Sequence, residues 1–476
     1  MAITILLQPQ EFQPVYNEIM TVLESTNSSE PNFQYVIDVN INGVKKSRLK
    51  VSPNPDGYGE VDLHKHIEPF VTSDIDYDDT ETFQLTPNSF TKYDITLLEE
   101  YRVELTFTLV TDSGGNTNYS VPTPHYLQVG DKVSITDSIE TSYNGVQTVT
   151  AVLSTTTFVT TKTFTVNSAG NMVKADFSNT LIPDVAVFTG NKYANSSVLN
   201  FLDVSSFDYQ DWLLNTGISP ALLLTTNQIN YVKPSTKCWL NFYNSVTDNA
   251  YFLQVTTNNG VFTIENDNYK TSNDTNKFLT FSCGTEQLEN STNTIAVISG
   301  ALPMFDTDTV SYSVKLTTAI ATSSKTYTFN IDNSCSAYEN FELIYQDQFG
   351  SFIPVNFDRA SKQTISNKKS DFRQNYGSYD SVANTYGWEA KDRGIKRLDT
   401  DITEVINIQT NWVTEVQGTK VIELMNSPEV YLNDGTKLIS INIQTSRLVQ
   451  KKRITDGLIN YQLSFEYSFK NTVQRG

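Results

Sequence analysis

Histidine and carboxylate side chains are the residues of this chain whose types and spacing could do chemistry. The chain has three histidines, and imidazole is the usual metal ligand and general base near neutral pH. His64 and His66 fall in a run that predicts a strand, which would place both rings on one face, where Asp62 or Glu68 could join them on a metal. A third well-placed ligand is missing from this pattern, so an exposed pair at a strand edge is the preferred interpretation. His125 stands alone in a linker that contains proline.

An acidic run also invites a calcium interpretation. Asp74, Asp76 and Asp78 have the spacing that opens an EF-hand loop. However, Asp79 stands where glycine is needed, Leu85 stands where the bidentate glutamate is needed, and no helical pattern flanks the loop. The run therefore predicts a solvated acidic loop, with a nonstandard calcium site as the alternative.

Catalytic motifs with a known mechanism are missing from the sequence. It has no nucleophile elbow, no zinc-protease pair of histidines, no phosphate-binding glycine loop and no dinucleotide fingerprint. Among 53 acidic residues, some pair will always resemble a glycosidase site. We therefore expect no catalytic residue, no cofactor and no bound metal, and a protein that is not an enzyme.

Cysteine usage and hydropathy indicate the compartment. Cys238, Cys283 and Cys335 are three in number and widely spaced, which fits neither a disulfide framework nor a zinc site. They are expected to be buried free thiols in a protein made in a reducing cytoplasm. No apolar run reaches the length of a membrane span, and the first ten residues do not resemble a secretory signal.

Charge is spread unevenly along the 476 residues, whose net charge is −19. Residues 341–476 contain 17 Lys and Arg and 16 Asp and Glu, whereas residues 1–340 contain 17 and 37. An acidic surface repels phosphates, so the chain is not expected to be a dedicated DNA binder. The acidity is compatible with a wall that DNA slides past, or with solubility alone.

The elements that would position any site are mostly strands. The chain is rich in Asn, Thr, Ser, Tyr and Phe, and only 18% of its residues are charged, a mixture that favours short strands and polar turns. Residues 33–41 alternate apolar and polar, Asn42-Gly43 follows, and residues 44–51 return, which predicts a β-hairpin with a tight turn. Gly59–Val71 and Tyr93–Val110 are predicted as further strands.

Composition shifts divide the chain into four predicted regions. Residues 1–118 form an N-terminal β-sandwich that continues at about 176–186, and residues 119–175 form a small β-barrel inserted in it. A second β-sandwich follows in 187–340, and 341–476 form an α+β domain with one main helix. The predicted fold class is mainly β and multidomain.

The last region begins with a hairpin over Glu342–Phe357 and ends with a hairpin that turns at Asp456-Gly457. Between them, Ser361–Tyr386 is polar and predicted as irregular, an extended excursion that crosses a neighbouring subunit. Leu398–Thr410 is predicted as a strand.

The main helix is predicted just after this strand. Thr414 is a suitable N-cap, and Glu415 lies where the helix dipole favours a negative charge. Val421, Leu424 and Met425 are at helical spacing and give one apolar face.

The helix is followed by a stop signal and a short strand. Pro428 disfavours helical geometry in Ser427, so the helix should end there. Glu429–Leu432 then predicts an edge strand that ends in a turn at Asp434-Gly435.

The unit Trp412–Tyr431 resembles the C-terminal domain of virion tail proteins of tailed bacteriophages, in particular the crAss-like short-tailed type. The resemblance covers about the last 140 residues and extends to Thr326–Glu339 and to the hairpin Ile37–Leu49. It implies a subunit of an oligomeric tail ring or adaptor between the portal and the tail tube, assembled in the host cytoplasm.

The resemblance also implies partners and an assembly surface. The partners are further copies of the chain, the portal and other tail proteins, with passive contact to genome DNA and no membrane insertion. Basic clusters at Arg393–Arg397 and Lys451–Arg453 suggest contact with DNA or with an acidic neighbour in a complex. For Lys451–Arg453, an exposed edge strand guarded by lysines against misassembly is an equal alternative. The candidate assembly residues are Trp412, Leu424, Pro428, Tyr431, Arg393, Lys396 and Arg397.

The alternative function is a tail fibre or baseplate protein that binds host surface glycans through aromatic side chains in its loops. Long repetitive shafts and trimer-forming heptads are missing from the sequence, which argues against a fibre. A glycan depolymerase is a third hypothesis, which would require a catalytic carboxylate pair in a cleft.

Overall fold

The computed structural model describes most of the chain. The described residues are 3–73, 75–77, 80–174, 179–213, 221–225, 228–244, 251–269, 274–318, 323–334, 337–375, 377–391, 393–448 and 459–469. They form two compact units, one of residues 1–72 and 90–195 and the other of residues 73–89 and 196–476. The fold is mainly β, as the sequence predicts.

Among the described residues, seventeen strands and one short helix precede residue 196. The strands are β1 (Ile3–Leu7), β2 (Phe12–Pro14), β3 (Met20–Ser25), β4 (Gln34–Ile41), β5 (Val44–Val51), β6 (Gly59–Asp62), β7 (Phe83–Leu85), β8 (Phe90–Tyr101), β9 (Glu104–Phe107), β10 (Leu109–Ser113), β11 (Asn116–Ser120), β12 (Lys132–Thr136), β13 (Gly145–Ser154), β14 (Thr157–Thr163), β15 (Gly170–Lys174), β16 (Thr180–Ala186) and β17 (Lys192–Asn195). The helix is α1 (His64–Ile67), and 3-10 turns span Glu68–Phe70 and Thr141–Tyr143.

The remaining described elements lie in the second unit. The strands are β18 (Ile229–Val232), β19 (Trp239–Tyr243), β20 (Tyr251–Thr257), β21 (Gly260–Glu265), β22 (Phe278–Ser282), β23 (Ile295–Gly300), β24 (Ser311–Thr318), β25 (Tyr327–Ile331), β26 (Phe341–Gln346), β27 (Phe352–Phe357), β28 (Lys362–Arg373), β29 (Ser378–Asp380), β30 (Thr385–Gly387), β31 (Ile395–Gln409), β32 (Val430–Asn433), β33 (Leu438–Ile443) and β34 (Gln462–Tyr467). The helices are α2 (Phe201–Ser206), α3 (Thr285–Glu289) and α4 (Glu415–Asn426), and a 3-10 turn spans Tyr209–Trp212.

The first unit contains a β-sandwich. One sheet has the order β1-β3-β6 and the other the order β2-β17-β8-β4-β5, with β16 also paired to β8. Apolar side chains of both sheets, such as Leu23 and Ile95, share one buried cluster. The predicted hairpin is confirmed, because β4 pairs with β5 across Asn42 at φ 49° and Gly43 at φ 76°, the geometry of a primed turn.

A barrel-like sheet is inserted between β8 and β16. Its order is β10-β11-β14-β13-β12-β15-β9, so its two outer strands are neighbours in sequence and the sheet nearly closes on itself. Its core includes Phe107, Tyr119 and Phe158. The inserted barrel is therefore confirmed, although its first strand already begins at Glu104.

The second unit contains two large sheets that share one core. A six-stranded sheet has the order β18-β25-β24-β20-β21-β23, and a ten-stranded sheet has the order β28-β31-β34-β33-β32-β26-β27-β19-β22-β7. Leu253 of the first sheet, Leu343 of the second and Leu424 of α4 belong to the same buried cluster. Strands from before and after the predicted boundary at residue 340 thus lie in one sheet. The predicted division of the chain into four regions stays a prediction.

Three predicted elements are wrong in detail. Tyr93–Val110 is not one strand, because the chain leaves β8 at Tyr101 and enters the barrel as β9 and β10. Glu429–Leu432 is not at an edge, because β32 pairs with β26 on one side and β33 on the other. His64 and His66 lie on α1 rather than a strand. None of the described helices combines the length and apolarity that crossing a bilayer requires.

Candidate assembly interface

Helix α4 begins and ends as its sequence dictates. The Thr414 hydroxyl accepts a hydrogen bond from the Gln417 backbone N–H at 3.4 Å, and the Gln417 side chain accepts one from the Thr414 N–H at 2.8 Å, which is a capping box. Val421 and Leu424 on the inner face are buried. The helix stops at Ser427, whose φ and ψ are extended before Pro428.

Charged groups beneath this helix belong to the core. Lys420 on α4 is buried and donates to the Asn230 side chain. Glu423 accepts a hydrogen bond from the Tyr345 hydroxyl at 2.8 Å. The Asp347 carboxylate accepts the backbone N–H groups of Phe349 and Ser351, both at 3.0 Å.

Burial shifts the protonation of two of these groups. It raises the pKa of Asp347 to about 8 and lowers the pKa of Lys420 to about 8, since a low-dielectric site disfavours the charged form of each. Both side chains are buried, and their hydrogen bonds link the hairpin turn after β26 and helix α4 to the surrounding structure.

A two-stranded ribbon, residues 365–404, has the features of an interaction surface. We call this ribbon the arm. Strand β28 pairs with β31 from Lys362↔Asn407 to Arg373↔Ile395. Strand β31 pairs with β34 only over Val405–Gln409. Beyond that base, the two strands pair only with each other among the described residues.

The described residues of the arm have no core of their own. Every residue of β28, β29 and β30 is exposed. An isolated two-stranded hairpin is marginally stable in water, because it cannot bury an apolar face. The sequence predicted Ser361–Tyr386 as irregular, which is wrong for β28, β29 and the start of β30. The predicted excursion across a neighbouring subunit stays a prediction.

Local contacts nevertheless order the tip of the arm, residues 377–391, which contain β29 and β30. The Asp380 carboxylate accepts the N–H groups of Val382 at 2.8 Å and Ala383 at 3.2 Å, and these bonds lower the pKa of Asp380. The Tyr379 hydroxyl donates to the Asn384 side chain at 2.5 Å. The tip is thus a defined turn.

Large apolar side chains stand in solvent along the arm. They are Ile365, Phe372, Tyr379, Val382, Tyr386, Trp388, Ile395 and Leu398, with exposed fractions from 41% for Phe372 to 96% for Val382. Soluble monomers seldom expose apolar residues in such density, and rows of them mark contact with another macromolecule. At about 25 cal/mol per Å² of apolar surface, covering ~100 Å² on each of the four aromatic rings would contribute roughly 10 kcal/mol before the entropy cost of association.

The candidate assembly residues are divided between the arm and the α4 region. Arg393, Lys396 and Arg397 are exposed on the arm, where the Arg397 guanidinium lies 3.1 Å from the Asp371 carboxylate. The sequence correctly predicted that these cations lie on a surface. It did not predict that β28 would pair with the strand that carries Lys396 and Arg397.

The remaining candidates differ in their access to a neighbour. Trp412 is 61% exposed and Leu424 is fully buried. Assignment of Leu424 to an interface is therefore wrong, because its side chain fills the core between α4 and the sheets. Pro428 is exposed, and Tyr431 is half-buried with its ring 6.2 Å from that of Phe352.

A small pocket of about 180 Å³ lies beside Trp412. Tyr231 and Trp412, both exposed, contribute aromatic rings to its lining. Lys233 lies on its wall with its Nζ 2.7 Å from the Asp332 carboxylate and 3.5 Å from the Asp358 carboxylate. The two aromatic rings offer faces on which a sugar could stack, and the Lys233–Asp332–Asp358 cluster offers polar partners for hydroxyl groups.

The histidines do not assemble a site. His64 Nδ1 lies 2.6 Å from the Asp62 carboxylate, which also accepts the Ile19 N–H. His125 is buried, with Nε2 3.0 Å from the Ser154 carbonyl and Nδ1 accepting the Leu127 N–H at 3.0 Å. No group of three His, Cys, Asp or Glu suited to a metal occurs in the part of the chain that the structure describes.

Three further sequence predictions fall wholly or partly beyond that part. Asp74, Asp78 and Asp79 of the proposed calcium loop lie outside the described residues, as do Cys335 and the basic cluster 451–453. Cys238 and Cys283 are buried free thiols, as the sequence predicts.

Comparison with known proteins adds little to this picture. No family model and no curated protein matches the chain. A solved structure, phage phi92 endosialidase, is similar over 98% of this chain and 68% of its own, with 11% identity and a TM-score of 0.17. A likeness at that level supports no argument about fold, substrate or activity.

The comparison still corrects one expectation. The prediction that this protein is not an enzyme is contradicted, because the matched structure is an endosialidase and hence an enzyme. The TM-score of 0.17 equally gives no ground for assigning catalysis to this chain.

Proposed function

We propose that this chain is a structural protein of a bacteriophage virion. In finer detail, it is a subunit of an oligomeric tail ring or adaptor between the portal and the tail tube. The observation that carries the proposal is the arm, an ordered ribbon with exposed apolar side chains and no core. Such a ribbon is suited to contact with another polypeptide.

The resemblance of Trp412–Tyr431 to phage tail proteins supplies the virion context. The capped helix α4 is buried against the shared core of the second unit, which gives a firm base from which the arm extends. A closed ring needs a heterologous contact, in which two different surfaces of each copy meet. An arm on one copy and a body surface on the next meet that requirement.

The acidic composition fits a position around a DNA conduit. With a net charge of −19, the chain would give DNA little to bind electrostatically, so a genome could pass without being retained. The proposed partners are further copies of the chain, the portal and other tail proteins, with passive contact to DNA. The proposed location is the tail of the virion.

The test is negative-stain imaging of the purified chain alone and after mixing with the portal. We expect closed rings, or particles in which the chain caps the portal in symmetric copies. A chain that stays monomeric alone and leaves the portal unchanged would contradict the proposal.

The second candidate function is binding of a host surface glycan. The observation that favours it is the pocket beside Trp412, whose two exposed aromatic rings could stack on the faces of sugar rings. A glycan array would test it, with Trp412→Ala as the variant that should lose binding. Equal glycan binding by the variant would reject this pocket as the site.

A further inference from the structure

We infer that the arm docks on a second copy of this chain, with its tip as the anchor and both of its faces covered by the neighbouring copy. The inference rests on the proposed self-association and says which part of the chain makes the contact. Its first support is the distribution of apolar side chains. Neighbouring residues of a strand point to opposite faces, and paired residues share a face.

Both faces of the arm present apolar side chains. Ile365 and Arg373 lie on one face of β28, because they are an even number of positions apart. Ile395 pairs with Arg373 and therefore lies on the same face as Ile365. Phe372 lies on the other face. A surface that met only one side of the ribbon would leave the other side's apolar residues in water.

The size of the arm leads to the same conclusion. Residues 365–373 extend about 30 Å at roughly 3.3 Å per residue, and two strands are about 10 Å wide. One face is therefore on the order of 300 Å², whereas a stable interface covers about 800 Å² on each partner. The ribbon reaches that size only if both faces and the tip are covered.

The charge of the arm suits contact with a second copy of this acidic chain. Residues 365–404 contain seven Lys and Arg and seven Asp and Glu, whereas the rest of the chain contains 27 and 46. The arm is thus neutral on an otherwise strongly acidic protein, so it can approach a neighbouring copy without the like-charge repulsion that two acidic surfaces would meet.

Edge pairing is not the expected mode of contact. Strand β28 is the outermost strand of its sheet, and Lys368 and Lys369 lie along it. Lysines on an edge strand discourage the addition of another strand. The contact is therefore expected through side chains of the faces and of the tip, where Trp388 is 66% exposed and tryptophan is a frequent interface anchor.

The first experiment measures self-association of the full chain by sedimentation velocity. Ile395→Ser and Trp388→Ala should each weaken association at least about tenfold, a typical effect for an interface anchor. The matched control is Ile298→Ser, because Ile298 is also an exposed strand residue, at 64% against 63% for Ile395, and lies off the arm. The control should associate within about twofold of the unchanged chain, well below a hot-spot effect.

The second experiment identifies the surface that the tip touches. A photo-crosslinking amino acid at position 382 in ¹⁵N-labelled chain is mixed with unlabelled chain that lacks it. We expect crosslinked peptides that join a labelled tip to an unlabelled body.

The outcomes separate the arm from the proposed function. Association that survives both arm substitutions, or crosslinks confined to one copy, would overturn the arm contact while leaving self-association in place. A chain that is monomeric at every concentration would overturn self-association and the arm contact together.

Discussion

Thr414 shows how a single side chain fixes the start of the main helix. Its hydroxyl and the Gln417 side chain satisfy backbone N–H groups that the helix leaves unpaired. We expect Thr414→Ala to lower the free energy of unfolding by about 1 kcal/mol, measured by urea denaturation. The control is Thr419→Ala, an exposed position in the same helix, which should cost nothing because alanine favours helix. Equal losses in both variants would contradict the capping role.

Asp347 makes stability depend on pH. Its pKa is 3.8 ordinarily and about 8 in the folded chain, so between these values the folded state holds a proton that the unfolded chain has released. The stability from this group is therefore complete below pH 3.8 and is lost as pH rises through about 8. Burial also raises the pKa of Glu342, which acts in the same direction.

The corresponding experiment compares urea unfolding at about pH 5 and about pH 8. The free energy of unfolding should fall over this interval, by no more than about 1.4 kcal/mol per pH unit for one group. Asp347→Asn should remove most of the fall. Asp380→Asn is the control, because the pKa of exposed Asp380 is lowered and that group titrates below the interval. An unchanged slope in Asp347→Asn would contradict the assignment.

Residue-level prediction succeeded where the cause is local. The cap at Thr414, the turn at Asn42-Gly43 and the helix stop before Pro428 depend on neighbours in sequence. Leu424 failed for the opposite reason, because its apolar face could be recognised but the sheets that cover it come from distant parts of the chain.

Among the elements, the β4–β5 hairpin depends most on one backbone conformation. Gly43 has φ 76°, and a Cβ atom added there would meet no heavy atom within 4 Å, so only backbone strain opposes a side chain at this position. Gly43→Ala should destabilise the fold by about 1–2 kcal/mol, measured by thermal or urea unfolding. Gly387→Ala is the control, since Gly387 has equal space without a positive φ, and it should be neutral. A neutral Gly43→Ala would contradict the primed turn.

The arm should be the least protected long hairpin until it is covered. Hydrogen exchange in residues 365–373 should be much faster than in β26 of dilute chain, because β26 is paired on both sides and the arm has no core. Exchange in the arm should slow at concentrations where the chain associates. Equal protection of both segments in dilute chain would contradict the description of the arm.

Strand β28 was not predicted from the sequence, and the reason is physical. Strands are recognised by an alternation that reflects one buried face, and β28 has no buried face. The barrel and the first hairpin have such faces, and both were predicted. What β28 does show is a run of polar and cationic residues that matches the exposed edge of a sheet.

At the scale of the whole molecule, sequence predicted the class of fold but not its pairings. The ten-stranded sheet joins β7, near residue 84, to strands between residues 239 and 467. Which strands pair over such long distances cannot be read from the local sequence. The pattern within a strand indicates only that one of its faces is buried. Uneven charge was visible in the sequence, but the sequence did not show that residues 365–404, in which seven Lys and Arg balance seven Asp and Glu, would form an exposed ribbon.

Self-association is the central claim, and light scattering of the purified full chain over a range of concentrations tests it most directly. We predict a molar mass that rises to a fixed whole-number multiple of 53.5 kDa, as a closed ring requires, and that falls back to the single-chain mass with Trp388→Ala and Ile395→Ser combined. A molar mass of one chain at every concentration would contradict it.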